Sequence, residues 1–114
     1  MGTFVVGDVV AVIFPFSDLS GQKLRPALVL AEVEFGNLIL CQITSKSYAS
    51  RKAIKLVQED FTTGKLPITS HIRPDKLFTA EPSIVEKKLG KLRSVKRKVV
   101  LSEVKGLFEE KTGS

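Results

Sequence analysis

Apolar positions in this chain gather in short runs before they settle into a longer period. Val9-Val10-Ala11-Val12-Ile13-Phe14 is rich in β-branched residues, follows Gly7-Asp8 and stops at Pro15, which reads as a buried strand. Pro26 to Val33 and Asn37 to Thr44 are two more such runs, and Gly36-Asn37 in the link "EFGN" predicts a tight hairpin between them. Ala53 to Val57 alternates as a fourth strand. Ser70 to Thr79 forms a fifth, interrupted by Pro74, and Ser83 to Val85 adds a short piece. From Ser94 the period changes. Val95, Val99, Val100, Val104, Leu107 and Phe108 recur at three and four with charges between them, which predicts a helix packing one face on the sheet. Gly106 weakens its last turn by about 1 kcal/mol relative to alanine. No internal repeat or low-complexity segment interrupts the order. Many short strands with a terminal helix predict a mainly β fold, a small barrel over about 5–93 with a helix over about 94–110, in one domain spanning 1–114.

Composition bounds what such a domain can do. A chain of 114 residues buries roughly 60–70% of its unfolded surface, enough for a core without disulfides or metals. The hydrophobic share of 43% and charged share of 26% are those of a soluble globular protein. The run Val9–Phe14 is too short to cross a bilayer, and no charged-then-apolar leader precedes it, so the expected compartment is the cytoplasm. Lys and Arg number 18 against 12 acids, a net charge of +6, which favours a polyanionic partner. Much of the excess lies between Lys87 and Lys98, where a solvated tail explains it equally well. Seven Phe, one Tyr and no Trp leave few rings on which bases could stack. Cys41 is the single cysteine and sits in the apolar run Leu38–Cys41, so it reads as a core thiol, with no disulfide or zinc cluster. His71 is also single. With no Cys or Ser partner readable nearby, it reads as a hydrogen-bonded strand residue rather than a triad base.

Two arginine–proline pairs supply the candidate chemistry. In "KLRPALVL" Arg25 stands at the mouth of the second strand, and Pro26 bars the helical conformation there. In "SHIRPDKL" Arg73-Pro74 repeats the device inside the fifth strand. Between Phe14 and Pro26 lies "PFSDLSGQKLR", about twice the usual hairpin loop length. Its Asp18, Ser20, Gln22, Lys23 and Arg25, around a flexible Gly21, suit a loop that wraps a phosphate. The plain alternative is a solvent loop with ordinary polar filler.

Taken together, "GDVVAVIFPFSDLSGQKLRPALVL" (7–30), "QITS" (42–45) and "SHIRPDKLFTA" (70–80) resemble the MazF/PemK-type toxins of toxin–antitoxin systems. "KKLGKL" (87–92) is similar to the segment before that family's terminal helix. The resemblance implies an SH3-like barrel of the MazF/PemK/CcdB kind and a homodimer. It further implies sequence-selective, metal-independent endoribonuclease action on single-stranded RNA, and a small antitoxin whose extended segment occupies the RNA groove. No cofactor is implied.

Residue by residue, the resemblance makes Arg25 the arginine before proline that moves protons and stabilises the phosphorane. Thr44, with Ser45 beside it, matches the hydroxyl pair closing the third strand. Arg73 and Asp75 match an acid–base pair of the PemK-like branch. Asp18, Ser20, Gln22, Lys23 and Ser45 are the expected RNA contacts. The chemistry suits these types. Attack by the RNA's own 2′-oxygen needs a base, a donor to the leaving 5′-oxygen and donors to the charged phosphoryl oxygens. An arginine fork serves the last, being always charged and bidentate on phosphate. The loop after the first strand has no histidine, which leaves Asp75 and Arg25 as alternatives for the principal base. Three other readings compete: a metal nuclease built on Pro74-Asp75 and Glu86-Lys87-Lys88, a non-catalytic SH3-like binding module, and a CcdB-like toxin that poisons gyrase by binding.

Overall fold

The computed structural model of the chain describes residues 4–14, 23–46 and 51–109. Its strands are β1 (Asp8–Phe14), β2 (Lys23–Glu32), β3 (Leu38–Thr44), β4 (Ile54–Leu56), β5 (Phe61–Gly64), β6 (Ser70–Ala80) and β7 (Val85–Leu92), followed by helix α1 (Ser94–Leu107). Every pairing is antiparallel, in the order β4-β6-β3-β2-β1-β7-β5, and the sheet curls into a half-barrel with the helix against β6. The sequence-based order of strands and a terminal helix is therefore the observed one, with additions.

The uninterrupted apolar runs have a physical origin in this layout. Val9 to Val12 and Ala27 to Leu30 are buried at every position, because the middle of the sheet is covered on both faces. One face carries Val9, Leu28, Cys41, Ile43 and Ile72, closed by Val100 of the helix. The other carries Val10, Val12, Ala27, Val29 and Leu40, with Phe4, Phe14, Phe78 and Ile84 packed over them. Phe14 and Phe78 meet edge to face with ring centroids 5.1 Å apart. The β2–β3 hairpin turns through Glu34–Gly36, where Phe35 (φ 63°) and Gly36 (φ 76°) are both left-handed. Gly36 suits that turn and Phe35 is strained in it.

Several sequence expectations need correction. β5 and β7 are strands the pattern did not announce: β7 bulges twice against β1, between Val9 and Val10 and between Ala11 and Val12, which breaks its alternation. The piece at 83–85 is a 3₁₀ turn over Pro82–Ile84 that leads into β7. The helix ends at Leu107 rather than near 110. Its packed face also differs. Val100 is buried and Leu101 and Val104 lean on the core, whereas Val95 is 73% exposed and Val99, Leu107 and Phe108 face solvent. Val95 and Val99 repeat at four, but about 100° per residue puts them on the far side of the helix from Val104. Arg25 is not the start of β2 but its third residue.

Both prolines sit where a ladder is broken, which is how a strand tolerates a missing N–H. The β2–β3 register runs to Ala27↔Gln42, and Pro26 lies just beyond it, opposite Ala11 of β1. Along β3–β6 the register passes from Cys41↔Leu77 to Ile43↔Ile72, so β6 spends five steps where β3 spends two. Pro74 lies in that bulge.

Cys41 is fully buried, and the loss of solvent pushes its thiol up to about 12, against a smaller lowering by a backbone hydrogen bond from Leu28. It is a core thiol, as its apolar surroundings imply. The native protein should therefore leave Cys41 unmodified by a thiol-specific disulfide reagent at pH 8, with full reaction once denaturant is added. Rapid labelling of the native protein would contradict this burial.

Candidate active site

A cavity of about 390 Å³ opens where β2 begins and β3 ends. Arg25 and Thr44 both line it, each two residues beyond the Ala27↔Gln42 pair, together with Ser45. Thr44 ends its strand in a local turn in which its Oγ1 accepts the Lys46 N–H at 3.1 Å. The oxygen is held as an acceptor, which leaves its proton to be donated outward. Arg25 is exposed and has no acidic partner among the described residues.

The cavity also recruits groups the sequence reading did not name for the site. Lys46 follows Ser45 directly, and Lys87 arrives from β7, opposite Ala11 of β1. Leu66, Pro67, Ile68 and Ser70 close it from the β5–β6 side. Among the described residues its lining holds three cations and no acid, a surface that favours an anion. Lys46 adjoins "QITS" and could have been found there. Lys87 was hidden in a run that reads as a solvated tail.

Arg73 and Asp75 form a separate pair. Two residues apart on β6, they share one face of the strand, and Arg73 Nε and Nη2 donate to Asp75 Oδ1 and Oδ2 at 3.1 and 3.0 Å. Neither lines the cavity that holds Arg25. The hydrogen bonds from Arg73 hold the Asp75 carboxyl below the usual carboxylate range, and the same bonds hold the guanidinium pKa above its ordinary value. In this arrangement Asp75 is a weakened base and Arg73 a weakened acid. Because the folded pKa of Asp75 is depressed, its contribution to stability is complete above the unfolded carboxylate value of about 3.9 and is lost as pH falls through the folded one. A carboxylate titration followed by NMR should place Asp75 below the usual carboxylate range, and Arg73→Ala should move it upward. An unchanged Asp75 midpoint in that variant would contradict the pair.

Thr44 pairs across the ladder with His71, and strand alternation puts Arg73 on the same side as both. His71 lies in a strand as expected, yet its Nδ1 is enclosed without a hydrogen-bond partner among the described residues, so the expected hydrogen bond is not made there. Lys23 opens β2 opposite Phe14 and does not line the cavity. Asp18, Ser20 and Gln22 lie outside the described residues. A larger cavity of about 480 Å³, lined by Phe14, Leu77, Phe78 and Ile84 among others, contains none of the candidate catalytic side chains.

The metal-nuclease constellation does not assemble. Asp75 is on β6 and Glu86 and Lys88 on β7, with β3, β2 and β1 between them in the sheet. Lys88 Nζ instead lies 3.3 Å from Asp8, a carboxylate only 2% exposed that also meets Lys91 at 3.5 Å and accepts the Val5 N–H at 2.9 Å. Among the described residues no three His, Cys, Asp or Glu side chains gather as metal ligands. No helix among the described residues is long and apolar enough to cross a membrane.

Residues 6–108 match the family model described as the PemK-like, MazF-like toxin of type II toxin–antitoxin systems. No curated protein sequence matches the chain. Among solved structures, the fold is similar to MazF from Deinococcus radiodurans, at 18% identity and a TM-score of 0.72, covering 94% of this chain and 97% of that one. A MazE–MazF structure from the same organism gives 20% identity and a TM-score of 0.74 over 93% and 96%. An endoribonuclease in complex with its cognate antitoxin, from a mycobacterial species, gives 16% and 0.65 over 96% and 100%.

Proposed function

From the premise that this chain belongs to the PemK-like, MazF-like toxins of type II toxin–antitoxin systems, we propose that it is an endoribonuclease cutting single-stranded RNA. The observation that carries this reading is the convergence of Arg25 and Thr44 on a cationic cavity whose described lining has no acid. An RNA phosphate seated there meets the Arg25 fork and the Thr44 hydroxyl, with Ser45, Lys46 and Lys87 beside it. The 2′-oxygen attacks the adjacent phosphorus, its proton goes to Asp75 or Arg25, and the P–O5′ bond breaks as the 5′-oxygen takes a proton from an arginine of the site, Arg25 or Arg73. The products are a 2′,3′-cyclic phosphate and a free 5′-hydroxyl. Arg25 stabilises the charge that grows on the phosphoryl oxygens, the part a metal ion plays in other nucleases.

Asp75 and Arg25 are the two proposed alternatives for the base. The Arg73–Asp75 ion pair supports a role in charge and orientation, since each partner dulls the other's proton chemistry. Asp18, Ser20, Gln22, Lys23 and Ser45 remain the proposed RNA contacts. A homodimer and a cognate antitoxin complete the reading, the latter supported by the antitoxin-bound structures of similar fold.

The test is incubation of the purified chain with a defined single-stranded RNA in excess EDTA, followed by mapping of fragment ends. Discrete fragments are expected, and sequence-selective ends separate the enzyme from a binding module or a gyrase poison. Intact RNA, or cutting that requires added Mg²⁺, would overturn the proposal.

A further inference from the structure

The linker from β5 to β6, residues 65–69, forms part of the same cavity as Arg25 and Lys87, and its chemistry differs from theirs. Leu66 leans into the core, but Ile68 is 59% exposed and Pro67 beside it is exposed as well. Apolar side chains held in water at the lip of a cationic cavity are not explained by packing.

The linker is also fixed in place. Gly64 adopts φ +74° and passes so close to β7 that a Cβ would collide with the Leu89 carbonyl and Gly90 Cα. Lys65 N–H donates to the Leu89 carbonyl at 3.3 Å, and Gln58 Nε2 donates to the Gly64 carbonyl at 3.2 Å. At the other end the Ser70 hydroxyl, only 4% exposed, donates to the Ile68 carbonyl at 3.1 Å. Both ends are tied, so Pro67 and Ile68 are presented on a prearranged wall.

We propose that Pro67 and Ile68 seat the nucleobase adjoining the phosphate held by Arg25 and Lys87, a proposal that rests on the RNA reading above. An anionic group carrying a flat apolar face is what a nucleotide offers, and this cavity pairs cations with an apolar wall. None of its lining residues is aromatic. The base therefore lies on a proline ring and a branched aliphatic chain, a contact that tolerates every base because each has a π-face. The occupant is a base on an RNA strand, since the cations sit beside the wall with no described acid between them.

The experiment measures binding of a short single-stranded RNA with 2′-deoxyribose at the mapped cleavage position, which blocks cutting. The probe is made with all its bases, and again with one base removed at each of the two nucleotides flanking the blocked position. Ile68→Ser should weaken the complete probe by about fivefold or more, the order expected for losing a branched aliphatic contact to a base. One of the two abasic probes should bind Ile68→Ser and the unmodified protein equally. Ile68→Phe, which restores the apolar surface, should recover binding of the complete probe. Lys87→Ala should weaken all probes alike and flatten the salt dependence. Equal losses for Ile68→Ser with every probe, or no loss with any, would overturn the base-seating role. Unmodified single-stranded RNA that is nowhere cut, yet is bound about fivefold more weakly by Ile68→Ser, would fail the nuclease reading instead and leave the apolar contact standing.

Discussion

Arg25→Ala should lose RNA cleavage by a factor of about 10²–10³, the usual cost of deleting one preorganised donor to a developing oxyanion. The fold should survive, because the side chain is exposed and the local backbone depends on Pro26 and the β1 ladder rather than on the guanidinium. Arg25→Lys should recover little. A lysine keeps the charge but not the two parallel donors that span adjacent phosphoryl oxygens. The check is single-turnover cleavage of a defined RNA, with thermal unfolding run in parallel. Wild-type rates in Arg25→Ala would remove this residue from the site. Loss of activity with an unchanged melting transition would assign it to chemistry rather than to structure.

A still larger effect is expected from the substrate. Replacing the ribose at the cleaved position by 2′-deoxyribose removes the attacking atom, so cutting there should fall below detection while binding persists. The ends of the normal products should be a 2′,3′-cyclic phosphate and a 5′-hydroxyl. Both follow from the same bond change: O2′–P forms as P–O5′ breaks, and no water enters that step. A nuclease that activates water would cut the deoxy substrate and leave a 5′-phosphate. That outcome would return attention to carboxylate-held metal chemistry, although Lys88, one member of that alternative, lies against Asp8. Mass spectrometry of the two fragments distinguishes the mechanisms in one measurement.

What the sequence by itself determined is the part that depends on neighbours along the chain. The buried strands over Asp8–Phe14 and Leu38–Thr44, the Gly36 turn and the helix from Ser94 are written in local composition and period. So is the family, because "LRPALVL", "QITS" and "HIRPDKL" lie in order at strand-compatible spacing. Tertiary structure decided the rest, where a residue's meaning depends on what crosses it. β7 was illegible because two bulges against β1 scramble its alternation and because its lysines read as a solvated tail. The helix face was misjudged because the valines at 95, 99 and 100 look equivalent in one dimension, whereas the core accepts only the side occupied by Val100 and Val104. The four residues singled out for catalysis divide in space for a similar reason. Arg25 and Thr44 meet because β2 and β3 are adjacent and in register. Arg73 instead pairs with Asp75, two residues on along the same strand, and neither reaches the cavity that holds Arg25.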